Sequence, residues 1–422
     1  MRSFASACWV RCVWSEWMKF ERFSCRTIAI VFWILAVGAM GIWLCVAQPG
    51  WDAQVYNRAI HAVAAGHDPW VEGVSLEEAF YRNGPQFAGD TIPYAYVYSP
   101  ITLPLLRLAA KLPGWLLASE YWLLYVMGIL AQIAVTFKAA RTDERNWALL
   151  IAPAVIYFPG LLQTDVVQSG NVAYILYGLA LAAAWHGWRK NSWWIFYLVV
   201  IVASCFKQPY LSWVALPLLS ARKQWLPAVL TSVAGVALFA VQPVLWPEAF
   251  RNFLRAVEYQ FSGNHDFGSS PAGQLGKLLL LCHVSRYEML SWVFYFLYVI
   301  PVFAVLWLLA ARYKAGQLSL QRWMPVLLVG VVLLNPRHIE YDVAPLTLPM
   351  ALIVLRLARR LPTRNAQLAV GAALLVTIVA VILHMDAWRT VECFLLMGCF
   401  AGGGWDLLQP AATEADCGCA PA

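Results

Sequence analysis

Long apolar stretches alternate with short polar ones along most of the chain. Runs of about 14 to 23 residues, each bounded by charge, Pro or Gly, recur from residue 28 to residue 405. An apolar helix of about 20 residues crosses the hydrocarbon core of a bilayer. The pattern predicts an all-α polytopic membrane protein with about ten to twelve transmembrane helices. The predicted helices cover residues 28–47, 115–137, 147–162, 171–187, 193–206, 208–220, 226–246, 289–311, 323–335, 342–358, 366–384 and 391–405.

The amino-acid composition narrows the class of protein further. Of the 422 residues, 61% are hydrophobic and 13% are charged, whereas soluble domains are about half apolar and about a quarter charged. A soluble enzyme is therefore excluded. The net charge of +7 does not indicate a nucleic-acid partner, because the Lys and Arg residues form short clusters between the apolar runs.

Those basic clusters predict the orientation in the membrane. With the N-terminus in the cytoplasm, the inner segments hold 19 of the 30 Lys and Arg residues and 7 of the 23 Asp and Glu residues. The positive-inside rule favours this assignment. It predicts a multi-pass protein of the inner (plasma) membrane with both termini cytoplasmic.

This orientation divides the chain into segments. A basic cytoplasmic segment covers residues 1–27, a membrane domain residues 28–405 and a cytoplasmic tail residues 406–422. Two larger outer loops cover residues 48–114 and 247–288.

Residues 96–112 form one more apolar stretch, but Pro100, Pro104, Arg107 and Lys111 interrupt it. A full crossing here would turn every later basic cluster outward. The stretch is therefore predicted to be a helix that lies in the membrane interface.

The polar residues of the predicted outer turns all fall on one side of the membrane, where they are less costly than in hydrocarbon. A carrier is expected to spread such groups through the midplane and to show internal repeats, and neither pattern occurs in the sequence. We therefore expect a membrane-embedded, outward-facing active site. Its candidate residues are Asp52, Tyr56, Gln168, Asn171, Lys207, Arg337, His338 and Tyr341.

The first outer loop opens with Asp52, at the start of a predicted short amphipathic helix that stops at Gly66. Asp52 has two interpretations: it caps this helix, or it is a general base at the edge of a membrane cavity. The nearby aromatic residues are likewise candidates for stacking on sugars or for an aromatic belt at the interface. They are Trp51, Tyr56, Trp70 and Tyr98.

Several motifs resemble those of a known family of membrane enzymes. They are Asp52-x-x-Val55-Tyr56, Ala65-Gly66-x-Asp68-Pro69-Trp70, Tyr96-x-Tyr98-Ser99-Pro100, Gln168-x-Gly170-Asn171, Phe206-Lys207-Gln208-Pro209 and Asn335-Pro336-Arg337-His338-x-x-Tyr341-Asp342. Their order along residues 28–390 is similar to that in glycosyltransferase family 87. This family has a GT-C membrane fold and includes α-mannosyltransferases that use polyprenyl-phosphate sugars.

The resemblance implies an inverting single displacement that moves a hexose, with mannose as the family example. The donor is a polyprenyl-phosphate sugar in the bilayer, and the acceptor is a lipid-linked or envelope glycan. Asp52 is then the catalytic base, Lys207 and Arg337 bind the leaving phosphate, and His338 is a donor or second proton-transfer group. A snorkelling lysine and a turn histidine are the structural alternatives for Lys207 and His338.

Four further residues are expected to contact the substrate or to shape its site. Gln168 and Asn171 bind sugar hydroxyls or cap the following helix, whereas Tyr56 and Tyr341 contact the substrate. Glu340 and Asp342 are too few ligands for a divalent cation, so we expect no metal and no other cofactor.

Two other classes of function fit part of this pattern. A flippase or transporter of lipid-linked sugars would bind the same isoprenoid phosphate but would not need a base at Asp52. A scaffold for envelope assembly would be insensitive to changes focused on Asp52, Lys207 and His338.

Overall fold

The computed structural model describes residues 50–84, 92–142, 169–260, 268–360 and 385–409, with a few isolated positions between them. These residues are mostly helical and contain no β-strand. The predicted helices at 28–47, 147–162 and 366–384 lie outside the described residues. In chain order the helices are α1 (Trp51–Ala64), α2 (Pro69–Asn83), α3 (Leu103–Ala109), α4 (Gly114–Ala139), α5 (Ala173–Lys190), α6 (Trp194–Phe206), α7 (Ala215–Ser220), α8 (Trp225–Ala240), α9 (Gln242–Leu245), α10 (Pro247–Glu258), α11 (Pro271–Leu281), α12 (Tyr287–Lys314), α13 (Leu320–Leu333), α14 (Glu340–Val343), α15 (Thr347–Arg360) and α16 (Met385–Leu408).

The long apolar helices confirm an all-α polytopic membrane protein. Within the described residues, five segments are long and apolar enough to cross a bilayer: Gly114–Ala139, Trp225–Leu245, Tyr287–Lys314, Tyr341–Ala358 and Arg389–Leu408. The outer faces of α8 and α12 expose large apolar side chains such as Val233, Phe296 and Ile300. Such faces are stable in hydrocarbon and not in water.

Two predicted helices have a different form in the structure. The run at 208–220 is a 3-10 segment, Gln208–Val214, followed by the short helix α7. Pro209 has no N–H to donate, so the α-helical hydrogen bonding of α6 cannot continue through it. The stretch at 96–112 contains only the 3-10 turn Pro100–Thr102 and the seven-residue α3, which is too short to span a membrane.

The first outer loop folds through local signals that the sequence carries. Helix α1 ends before Gly66, whose φ of +79° is a conformation that favours glycine. Asp68 then caps α2 by accepting hydrogen bonds from the N–H groups of Trp70 at 2.9 Å and Val71 at 3.0 Å. Pro69 occupies the first turn of α2, where no N–H is needed.

The two large loops pack together into one body, which we call the loop lobe. It consists of α1, α2, α3 and α10 around a shared core. Asn252 of α10 donates a hydrogen bond to the second carboxylate oxygen of Asp68 at 2.9 Å. The buried core residues are Val55, Ala59, Trp70, Tyr96, Tyr98, Leu103, Leu106, Phe253 and Ala256.

Ion pairs close the opposite end of the helical bundle. Arg356 forms a two-pronged pair with Glu144 at 2.7 and 2.8 Å, and both side chains are nearly inaccessible. Asp406 pairs with Arg322 at 3.4 Å and also with Arg360. All five residues come from segments predicted to share one side of the membrane. The contacts therefore agree with the way the basic clusters divide the loops between two ends.

Helices α4 and α5 approach closely at a pair of glycines. A Cβ atom on Gly128 would come within 2.6 Å of the Tyr174 carbonyl oxygen, and one on Gly178 would overlap the backbone of Gly128. The neighbouring Tyr125 and Ile129 are fully buried in this crossing. Small residues let membrane helices pack backbone to backbone.

We predict that Gly178→Ala destabilises the protein, because the added methyl group meets main-chain atoms that cannot move aside. Overpacking of this kind costs about 1–3 kcal/mol. Thermal unfolding in detergent should show a lower midpoint for Gly178→Ala than for wild type. Gly398→Ala is the matched control, since a Cβ at that helical glycine meets no atom within 4 Å. Equal midpoints for the two variants would contradict the close crossing.

Candidate active site

The start of α1 meets the segment before α15 at the end of the bundle away from the ion pairs. The indole N–H of Trp51 donates a hydrogen bond to the hydroxyl of Tyr341 at 3.0 Å, although the two residues are 290 positions apart. This contact brings the neighbouring Asp52 to the segment that carries Tyr341 and Asp342, and the charges of both aspartates act on Tyr98. Helices from both halves of the chain therefore build one polar region.

Asp52 lies in the first turn of α1, but it is not the cap of that helix. Gly50 occupies the cap position, and no side chain caps α1 there. The capping interpretation of Asp52 is therefore wrong. The carboxylate is half-buried, and its Oδ2 atom is shielded from solvent. A carboxylate in a first turn is stabilised by the positive end of the helix dipole.

Two phenol hydroxyls lie beside Asp52. The hydroxyl of Tyr56 is 2.7 Å from that of Tyr98 and accepts a hydrogen bond from the N–H of Val172 at 3.1 Å. Burial is the main cause that raises the pKa of both tyrosines, and the negative charge of Asp52 raises them further. The charge of Asp342 also raises the pKa of Tyr98. Both phenols thus stay neutral, and both carboxylates act on the hydroxyl of Tyr98.

Tyr98 and Trp70 do not form an interfacial belt. Both side chains are buried in the loop lobe, at 5% and 1% exposure. The indole N–H of Trp70 donates to the main-chain carbonyl of Tyr98 at 2.9 Å. Their aromatic surface holds the loop lobe together, which corrects the belt interpretation for these two residues.

The turn before α5 packs directly against the helix start that carries Asp52. Gly170 has a φ of +70°, and a Cβ there would lie 2.8 Å from the Cβ of Ala53 and 3.2 Å from the ring of Trp122. Its carbonyl accepts a hydrogen bond from the hydroxyl of Tyr121. A glycine at this position thus lets the turn reach α1.

Asn171 is buried in the same turn and has a structural role there. Its side-chain oxygen accepts a hydrogen bond from the N–H of Ala173 at 2.9 Å and so shapes the start of α5. This is the capping alternative of the sequence analysis. Gln168 lies outside the described residues.

Lys207 lies where α6 ends, and its ammonium group lies between two aromatic rings. The Nζ atom is 5.5 Å from the centre of the Tyr341 ring and 5.8 Å from the centre of the Tyr210 ring. The side chain is half-buried. Ring faces attract cations within about 6 Å, so both rings hold this ammonium group in place.

Asp342 has its two oxygens engaged by the protein. Oδ1 accepts a hydrogen bond from the hydroxyl of Tyr210 at 3.1 Å, and Oδ2 accepts one from the N–H of Ile339 at 3.2 Å. Among the described residues there is no group of three or more His, Cys, Asp or Glu that could hold a metal ion.

His338 is fully buried in the turn that precedes α14. Its carbonyl accepts a hydrogen bond from the N–H of Ser269 at 2.7 Å, and the left-handed Gly268 packs against it. Neither ring nitrogen makes a hydrogen bond of standard geometry within the part of the chain that the structure describes. Arg337 is half-buried in the same turn, with its main-chain N–H bound to the side-chain oxygen of Asn335 at 3.1 Å.

Burial makes this histidine a neutral group. It lowers the pKa of His338 to about 4, although the Asp342 carboxylate and nearby main-chain groups partly oppose the shift. A neutral imidazole can donate one hydrogen bond and accept another. The candidate cations of the polar region are therefore Lys207 and Arg337.

Sequence reasoning missed three residues that build the region. Tyr210 lies between Lys207 and Asp342, and Ser269 donates from its hydroxyl to the buried carboxylate of Glu392. Glu392 had a visible signal, because a single carboxylate at the start of an apolar run is unusual in a membrane helix. Tyr210 and Ser269 had none, since their roles depend on partners far away in the sequence.

The fold and the polar region together define an integral membrane protein with a candidate active site at one end of its helical bundle. Residues 96–336, more than half of the chain, match the model of glycosyltransferase family 87. The chain belongs to this family and is a membrane glycosyltransferase, which transfers a sugar from a donor to a glycan acceptor. No curated protein and no solved structure matches the chain. Asp52, Tyr56, Arg337, His338 and Tyr341 lie outside the matched range, so their roles depend on geometry.

We predict that the stability of the protein falls between neutral pH and about pH 4 because of His338. The folded-state pKa of about 4 lies below the ordinary value of 6.5, so the unfolded chain takes up this proton first as the pH falls. The free energy of unfolding falls by about 3 kcal/mol in total, and the fall is complete near the folded-state pKa. Unfolding in detergent at pH 7 and pH 4.5 should show a smaller pH dependence for His338→Gln than for wild type.

His61→Gln is the control for this prediction, because His61 is exposed on α1. It should keep the pH dependence of the wild type. An unchanged pH dependence in His338→Gln would contradict the burial argument.

Proposed function

We propose that the protein transfers a hexose, with mannose as the first candidate, from a polyprenyl-phosphate donor to a lipid-linked or envelope glycan acceptor. The fold is of the GT-C type, and the reaction is an inverting single displacement on the outer side of the inner membrane. One observation carries the proposal: Trp51, the neighbour of the half-buried Asp52, donates a hydrogen bond to Tyr341, and the Lys207 ammonium group lies 5.5 Å from the centre of the Tyr341 ring. A base and a cation at one membrane edge are what this transfer needs.

In the proposed reaction the acceptor hydroxyl loses its proton to Asp52 as its oxygen attacks the anomeric carbon of the donor. The bond from that carbon to the phosphate oxygen breaks, and its electron pair leaves with the phosphate. Lys207 and Arg337 stabilise the negative charge of the leaving group. Neutral His338 is buried in the same turn as Arg337 and supports that turn. No metal or other cofactor takes part in this scheme.

The proposal assigns lesser roles to the remaining candidate residues. Tyr341 borders the phosphate side of the site, whereas Tyr56 orients α1 through its bonds to Tyr98 and Val172. Asn171 shapes the start of α5, next to the Val172 N–H that Tyr56 accepts from.

We predict that Asp52→Asn loses transferase activity by roughly 10²–10⁴-fold, the usual contribution of a general base. The amide keeps the shape of the side chain but cannot take up the proton. The assay mixes purified protein with a synthetic polyprenyl-phosphate hexose and a lipid-linked glycan acceptor. It measures the polyprenyl phosphate that the reaction releases. Glu78→Gln is the control, since it removes an exposed carboxylate from the same lobe.

Wild-type turnover in Asp52→Asn would eliminate the base assignment. A flippase would be favoured instead if Asp52→Asn transports the lipid-linked sugar and neither this variant nor the wild type releases polyprenyl phosphate.

We also propose that both termini are cytoplasmic. The ion pairs among Glu144, Arg322, Arg356, Arg360 and Asp406 would then close the cytoplasmic end of the bundle. A reporter active only in the cytoplasm, fused after Ala422, is predicted to be active. A reporter active only outside, fused at the same position, should be silent, and the reverse result would invert the orientation.

A further inference from the structure

Lys207 is held in a way that differs from other cations of the bundle. Arg356, Arg322 and Arg360 each pair with a carboxylate at the opposite end. Lys207 forms no ion pair within the described ranges, and its fixed partners are the ring faces of Tyr210 and Tyr341. A ring face attracts an ammonium group without cancelling its charge.

The rings themselves are firmly placed. Tyr210 is almost fully buried and stacks on Trp213, with ring centres 4.3 Å apart and planes 22° apart. Its hydroxyl donates to Asp342 at 3.1 Å. Tyr341 is anchored by the indole of Trp51 at 3.0 Å. Each ring therefore has a bond that fixes its orientation beside Lys207.

Asp342 is the carboxylate next to this arrangement, but it does not neutralise the lysine. No oxygen of Asp342 lies within ion-pair distance of Lys207, and both oxygens accept hydrogen bonds from Tyr210 and Ile339. The aspartate thus supports the ring and not the cation. The positive charge stays available to an anion from the substrate.

We propose that Tyr210 and Tyr341 form an aromatic cradle that positions Lys207 as the phosphate-binding cation, with Asp342 bracing Tyr210; this inference rests on the proposed function. A carboxylate partner would compete with the phosphate for the lysine, whereas two ring faces hold it and leave it charged. Tyr210 and Tyr341 are then positioning residues for the donor phosphate. Their ring faces contact the lysine, whereas their hydroxyls only hold the rings in place.

The test compares loss of the ring with loss of the hydroxyl. Farnesyl phosphate is the probe, and farnesol is the uncharged control that shares its chain. Tyr210→Leu and Tyr341→Leu should weaken farnesyl phosphate binding roughly fivefold to thirtyfold, the range of a partly desolvated cation–ring contact. Tyr210→Phe and Tyr341→Phe keep the ring but lose the hydroxyl bond that fixes it, so they should weaken binding clearly less than the leucine variants. Farnesol binding should not change in any of them.

Lys207→Met should lower phosphate affinity at least as far as the leucine variants. Lys207→Arg should recover part of it, because a guanidinium also stacks on rings. In turnover assays the leucine variants should raise the KM for the donor more than they lower kcat, as expected for a contact present before the transition state. Thermal unfolding identifies any leucine variant that does not fold, and Tyr341→Met compared with Tyr341→Phe then gives the same information.

Leucine variants that bind farnesyl phosphate like wild type would overturn the cradle. Equal losses in the leucine and phenylalanine variants would also overturn it, because the hydroxyls would then be responsible. The proposed transfer can fail independently of the cradle. If phosphate binding needs both rings but the protein turns over no polyprenyl-phosphate sugar, the transfer is wrong and the cradle is supported.

Discussion

Long-range polar contacts hold the loop lobe against the helical bundle, and the candidate site depends on this docking. The indole of Trp51 binds Tyr341, the hydroxyl of Tyr56 accepts from the start of α5, and Ser99 donates to the end of α6 at 3.1 Å. Each contact joins the first loop to a different part of the bundle. Because Asp52 belongs to the lobe while Lys207 and Tyr341 belong to the bundle, docking brings together groups that neither part holds alone.

Charged side chains are unfavourable in hydrocarbon, and this determines where the other charged residues lie. Arg356 and Glu144 neutralise each other at one end, where their bond also ties α15 to the chain after α4. At the other end the charges of Asp52 and Lys207 are accommodated by phenols and ring faces. One end is thus closed by ion pairs, whereas the other holds the Lys207 ammonium group between ring faces.

The parts of the structure that follow from local pattern could be predicted from the sequence. The apolar runs predicted α4, α5, α6 and α12, because a long apolar segment in a bilayer must form a helix to satisfy its backbone hydrogen bonds. Gly66 and Pro69 gave the end of α1 and the start of α2. What could not be predicted depends on partners distant in sequence: Tyr210 and Asp342 are 132 residues apart. Only the folded structure shows that α10 packs against the first loop and that two aromatic rings lie beside Lys207.

The joint core of the loop lobe has a consequence for how this protein can vary. Phe253 of the second loop packs among residues of the first loop, and Asn252 binds the same Asp68 that starts α2. Substrate preference in such a protein cannot be transplanted by exchanging one loop alone. A chimera would have to carry both segments as a unit, and divergence between relatives in one segment should be matched by compensating changes in the other.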